Sequence, residues 1–223
     1  MKTSTLTIII GLFIMLCLSC EKPHPRDDCP GGDCPDRPCR DCDKPRSVTG
    51  QGDIISQTYT VVPFHSVGNT GIANVYITKG DKYEITLNAQ PNIIDYITYE
   101  VQGEEILLGM EENVIIESSK GIFIDITTPE IQQVTSTGTS FIRLSGSRQG
   151  RLRLYNIGTG SINAFDLEAD TCYVHLTGTG SCKVAVNELL DAVITGTGNV
   201  YYRGYPNQIY SYVTGLGRLI NSN

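Results

Sequence analysis

Tryptophan is absent from this 223-residue chain, histidine occurs three times, and only 18% of residues are charged. Three imidazoles leave little material for a histidine-based catalytic site. No run of Lys or Arg occurs, and the formal net charge is −7. An acidic surface of this kind argues against nucleic acid and anionic lipid headgroups as partners. Long apolar runs are scarce as well. The one candidate, residues 6–18, is too short to span a bilayer as a stable helix and is followed by polar sequence. No window keeps apolar residues at three-and-four spacing, so helices are unsupported. Apolar residues as such are plentiful at 40%, enough for a core, which excludes a chain disordered throughout.

The first twenty residues read as an address. Met1 and Lys2 give a short basic start, and residues 6–18 form a secretory h-region. Cys17-Leu18-Ser19-Cys20 follows. A small residue directly before a Cys at the end of an h-region resembles the lipobox of bacterial lipoproteins, which implies that Cys20 is diacylated and becomes the first mature residue. Cys17 stands where that motif prefers Leu, and an ordinary secretory peptide cut near Ser19 is the other reading. Removal of Lys2 with the leader takes the charge to −8. The lipidated reading predicts an outer-membrane lipoprotein of the cell envelope, surface-exposed or periplasmic, touching the membrane only through its anchor.

Residues 21–46 hold six of the ten prolines, and seven acidic residues against six basic ones. Apart from Cys they carry no apolar side chain beyond the proline ring, so the stretch reads as an extended stalk reaching roughly 80 Å at most. Cys29, Cys34, Cys39 and Cys42 lie in it. In an oxidising compartment they read as disulfides, with three possible connectivities; four zinc-binding thiolates are the alternative.

The remainder, 47–223, is dominated by a repeat. S-T-G-T-S at 136–140 returns as I-G-T-G-S at 157–161, T-G-T-G-S at 177–181, T-G-T-G-N at 195–199 and T-G-L-G-R at 214–218. The lead glycines 138, 158, 178, 196 and 215 are spaced by 20, 20, 18 and 19 residues. On both sides of each glycine pair, apolar residues alternate with polar ones: Leu152 and Leu154, Cys172 and Val174, Ile162 and Ala164, Cys182 and Val184. Period two on either side of a glycine bend predicts strand, corner, strand. A hairpin meander would bring strands at about 8–12 residues with Asn-Gly or Asp-Gly turns. The recurring corner at twice that distance predicts instead an all-β, parallel β-solenoid, right-handed and β-helix-like, with about 18–20 residues per coil. Residues 47–135 read as the same design with looser spelling, including Ile72, Val75 and Ile77 as a strand core, which gives about nine coils in all. Thr137, Thr177, Thr195 and Thr214 before the corners suggest a hydroxyl ladder.

Gly160, Ile162 and Asn163 as a G-x-I-N element among G-T-G corners, after a lipoprotein-like start, make the chain similar to the head GIN domain family, the autotransporter-type adhesin lipoproteins of Bacteroidota. The resemblance covers 47–223, most strongly 134–221. It implies a parallel β-helix-like fold and adhesin-like behaviour, and brings no catalytic residues with it.

A catalytic constellation is missing from the repeat: Asp191 and Arg153 share a coil position two coils apart, roughly 10 Å, and the calcium motif G-G-x-G-x-D does not occur. No cofactor or metal is expected. Tyr155, Tyr173, Tyr210 and Tyr212 fall at two adjacent outward positions, so stacking would gather them into a face suited to a glycan or protein. His175 stands alone on a strand face and reads as a surface residue in a stack. Cys172 and Cys182 fall at inward positions of one coil, as small core residues or a disulfide across it. The terminal coil, with no cap of its own, predicts a homo-oligomer formed through it. The expected function is a non-catalytic interaction module. The alternatives are a polysaccharide-processing enzyme or accessory factor, marked by a carboxylate-lined groove, and a purely structural envelope protein.

Overall fold

The computed structural model describes residues 45–118 and 120–223; the leader with Cys20, and the stalk cysteines Cys29, Cys34, Cys39 and Cys42, lie outside the described residues. The described residues are all-β, 60% strand and 2% helix, and their main sheet is a strongly curled half-barrel. In chain order the strands are β1 (Arg46–Thr49), β2 (Ile55–Thr60), β3 (Ser66–Asn69), β4 (Asn74–Lys79), β5 (Glu84–Ala89), β6 (Ile97–Gln102), β7 (Glu105–Met110), β8 (Val114–Glu117), β9 (Phe123–Thr128), β10 (Gln133–Ser136), β11 (Phe141–Ser145), β12 (Gln149–Asn156), β13 (Ser161–Leu176), β14 (Cys182–Ile194), β15 (Val200–Arg203), β16 (Gln208–Val213) and β17 (Leu219–Asn221). Fifteen of them share the main sheet, while β1 and β8 form a separate parallel pair.

From β10 onward each repeat has an arm before its glycine corner and an arm after it, and each arm pairs with the same arm of the next repeat. Before the corner the inward ladder is Val134, Leu154, Val174, Ala192 and Ser211. After it the ladder is Ile142, Ile162, Cys182, Val200 and Leu219. Every pair between residues 133 and 221 is parallel, and partners differ by the 18 to 20 residues of the repeat spacing except at the irregularities around Ser145 and Glu168, where they differ by 21 and 17. These alternate residues are sealed in the core, at 2% exposure or less from Val134 to Val200. β13 and β14 run unbroken through a second bend, where Phe165, Asp166 and Leu167 are extra on β13 and the register slips.

The corners show why glycine recurs. A Cβ on Gly158 would lie 2.0 Å from the Gly138 carbonyl oxygen; on Gly178, 1.6 Å from that of Gly158; on Gly196, 2.0 Å from that of Gly178. None of these glycines has a positive φ. The demand is therefore for backbone-on-backbone approach between repeats, and left-handed conformation plays no part in it. Amides carry the stack across each corner: Thr177 N–H donates to the Asn156 carbonyl at 2.9 Å and Thr195 N–H to that of Leu176 at 2.9 Å. The hydroxyl contact found along this edge joins Ser181 to Ser161 at 3.1 Å.

The first part departs from the nine like coils expected. β3, Gly71 and β4 do form a unit of the repeating kind, pairing in parallel with β10 and β11. After it, β5 runs antiparallel to β2 and β9, and β6 and β7 make an antiparallel hairpin. β7 and β9 then pair in parallel with the other edges of β3 and β4. Stacking order and chain order thus differ here. The physical reason is the link between β6 and β7, a two-residue loop opening on Gly103 at φ +63, the chemistry of a tight hairpin. Ile72, expected in a strand core, lies in the corner and is 51% exposed.

Candidate functional site

The arm before the corner presents two adjacent outward ladders. One runs Gln133, Arg153, Tyr173, Asp191, Tyr210, and the other Thr135, Tyr155, His175, Val193, Tyr212. Parallel, in-register pairing sets successive members about 4.8 Å apart, so Tyr155, Tyr173, Tyr210 and Tyr212 share one face. Tyr210 and Tyr212 are 57% and 63% exposed; Tyr155 and Tyr173 are half-buried by their neighbours.

Charged groups are threaded between the rings. Asp191 is flanked in its ladder by Tyr173 and Tyr210. The Arg153 guanidinium lies 6.0 Å from the Tyr173 ring centre, within cation–π range. His175 tilts against Tyr155 with ring centres 6.2 Å apart. Tyr155, Tyr173, His175, Asp191 and Val193 line a depression of about 180 Å³. By sequence His175 stands alone on a strand face; its place on the same wall as Asp191 follows from the two-residue offset between the two ladders, which keeps both on one face of the sheet. A larger hollow of about 450 Å³ lies at the other end of the stack, against Thr98, Tyr99 and Leu107, with Glu100 as its carboxylate.

The smaller depression falls below the usual size of an enclosed small-molecule pocket. It offers one carboxylate, and no hydrogen bond joins that carboxylate to His175 among the described residues. Nor do the described residues contain any group of three or more His, Cys, Asp or Glu placed to hold a metal ion. What the face can do chemically is stack flat rings on a ligand and accept hydrogen bonds at Asp191.

Cys172 and Cys182 face the core from opposite arms of one repeat, in the ladders Leu152–Cys172–Leu190 and Ile162–Cys182–Val200. Both are buried free thiols, so the disulfide entertained across the coil is not formed here. Burial pushes the Cys172 thiol far up, with a smaller push from Cys182. Burial raises Cys182 to about 12, with Asn156 opposing it. These are inert core groups rather than nucleophiles.

No curated protein matches the chain. Among solved structures, a "putative adhesin" from Bacteroides fragilis is similar at 18% identity and TM-score 0.56, covering 78% of this chain and 100% of that one. A "putative adhesin" from Parabacteroides merdae gives 14% identity and TM-score 0.44 over 80% of this chain and 100% of the other. A "putative lipid binding protein" from Parabacteroides distasonis gives 16% and 0.44 over the same shares. At 18% identity the likeness to the Bacteroides fragilis protein concerns the fold alone. A family model matches directly, over residues 63–155 and 133–206. The chain belongs to the family described as "Putative auto-transporter adhesin, head GIN domain".

Proposed function

We propose that the protein is a non-catalytic, adhesin-like interaction module of the cell envelope, and that the tyrosine face of the arm before the corner binds its partner, a glycan or protein. The observation that carries this reading is the pair of outward ladders that set four tyrosines around Asp191. A glycan is the better fit of the two. Sugar rings present apolar C–H faces to flat aromatic area, and a carboxylate between the rings accepts from their hydroxyls. In this reading the repeats wind as coils of a right-handed, β-helix-like parallel solenoid, and a lipid on Cys20 with the stalk of residues 21–46 holds the domain at the outer membrane.

The experiment is a glycan and protein-ligand array probed with residues 47–223. Tyr173→Ser with Tyr212→Ser should abolish binding while the melting temperature stays close to that of the parent. Undiminished binding by the double variant would retire the reading.

The C-terminal edge supports a second copy of the chain as partner. β16 pairs on one side, with β14, and its residues are exposed throughout. Residues 205–223 carry one charge, Arg218. Edge strands are ordinarily guarded by charge; this neutral one, in a chain of net charge −7, does not repel its like.

A further inference from the structure

The arm after the corner carries an outward surface of opposite character. Its outer ladder runs Arg143, Asn163, Lys183, Tyr201, Ile220, and Arg203 stands beside it, paired with Ala185. Two cations converge on one ring: the Arg203 guanidinium lies 4.1 Å from the Phe165 ring centre and the Lys183 ammonium 5.9 Å from it. The same ammonium is 5.9 Å from the Tyr201 ring centre. Phe165 reaches this position because it is one of the three extra residues on β13, where its N–H donates to the Asn163 side chain at 3.1 Å.

Two other cations beside these strands are neutralised locally. Arg143 donates through two nitrogens to Asp166 at 3.0 and 2.7 Å, and Arg148 pairs with Asp170. Lys183 and Arg203 make no ion pair with another described residue. The carboxylate nearest in register, Glu168, is two strands from Arg203 and accepts from Asn187 at 3.4 Å. Two like charges gathered on one aromatic ring without a counter-charge repel each other, and an anion placed between them relieves that repulsion.

We propose that Lys183, Arg203, Phe165 and Tyr201 form a binding site for one carboxylate or sulfate group of an acidic saccharide. The guanidinium fork matches either oxyanion with two hydrogen bonds, while the ammonium adds a point charge. The exposed rim of Tyr201 and the amides of Asn163 and Asn199 suit the sugar ring and its hydroxyls. Two cations are too few for an anionic bilayer, which recruits clusters of about 4–8 basic residues. They are also too few for nucleic acid on a chain of net charge −7. The site lies on different residues from the tyrosine face and stands or falls separately from it.

The test is calorimetric titration of the secreted chain at low salt with oligogalacturonate, with its methyl-esterified form, and with a sulfated oligosaccharide such as a chondroitin sulfate fragment. Binding of the carboxylated or the sulfated probe is expected, and comparison of the two identifies the anion. Esterification, Arg203→Gln and Lys183→Gln should each weaken binding about 10-fold or more, the loss expected when a charge-assisted hydrogen bond disappears. Lys183→Arg should retain it, and Tyr173→Ser with Tyr212→Ser should leave it unchanged. The proposal is overturned if neither acidic probe binds, if esterified and free acid bind alike, or if the Gln variants bind as the parent does. Binding only of an acidic peptide or of phosphatidylserine vesicles also overturns it.

Discussion

Replacing Gly178 by Ala asks whether the corner stack is as tight as its geometry implies. The added Cβ would lie 1.6 Å from the Gly158 carbonyl oxygen and 2.7 Å from its carbon. Both atoms are main chain, so no side chain can swing away, and the two repeats must part by about an ångström or more to restore ordinary contact. Thr177 N–H to Asn156 and Thr195 N–H to Leu176 cross the same corner at 2.9 Å and would lengthen with it. Overpacking costs about 1–3 kcal/mol, and weakening one or two hydrogen bonds adds about 1 kcal/mol. The sum, about 2–4 kcal/mol, corresponds to a fall in Tm of about 4–16 °C for a domain of this size. Gly150→Ala is the control, because a Cβ there meets nothing within 4 Å and its φ lies outside the left-handed region. It should be neutral or stabilising by up to about 1 kcal/mol, through the unfolded chain. Thermal melts of both variants by circular dichroism decide the matter. Equal melting temperatures would refute the close-approach account of the glycine corners.

The buried thiols predict a stability that falls in alkali. Their pKa is raised in the folded state from an ordinary value of 9.0, so above about pH 9 the unfolded chain releases protons that the folded one retains, costing about 3 kcal/mol for the pair by pH 10. Urea midpoints of the parent should drop between pH 8 and 10 more steeply than those of a Cys172→Ala/Cys182→Ala variant, and parallel curves would count against it. The open edge of β16 predicts weak, concentration-dependent dimers in sedimentation equilibrium, lost in Ser211→Lys, which places a charge on that edge. A parent that stays monomeric to about 1 mM refutes the second-copy reading.

Where the repeat is strict, inside and outside were legible from alternation alone. Leu152, Leu154, Ile162, Ala164, Val174 and Val184 are all sealed in the core, because parallel pairing at the repeat spacing keeps the parity of every rung. The outward tyrosines followed from the same parity. Legibility failed where local turn chemistry competes with the repeat. Gly103 between two alternating segments is a hairpin signal, yet among glycine-spaced strands it reads as one more corner. Phe64, Ile93 and Ile131 are fully buried but sit in irregular connections, where no period marks them. The cluster at Phe165 was invisible for a related reason. It depends on three extra residues in β13, and a fixed period offers no place for an insertion that turns a side chain toward the strands beside it.

Because each rung repeats the outward positions of the one before, a linear polymer lying along the stack would meet Tyr155, His175, Val193 and Tyr212 in turn, with Arg153, Tyr173, Asp191 and Tyr210 alongside. Each contact is weak by itself, since the depression is only about 180 Å³ and the rings lie near the surface. Contacts made by one chain add as linked binding events, however, so affinity should climb with polymer length until the rungs are spanned. Five rungs from β10 to β16 at about 4.8 Å cover about 19 Å. A glycan that binds this face should therefore gain at least about tenfold in affinity from one sugar to four, with little gain beyond the length of the ladder. Calorimetry on an oligosaccharide series reads this directly. A monosaccharide that binds as tightly as its tetramer would place recognition in a single pocket and remove the ladder from the mechanism.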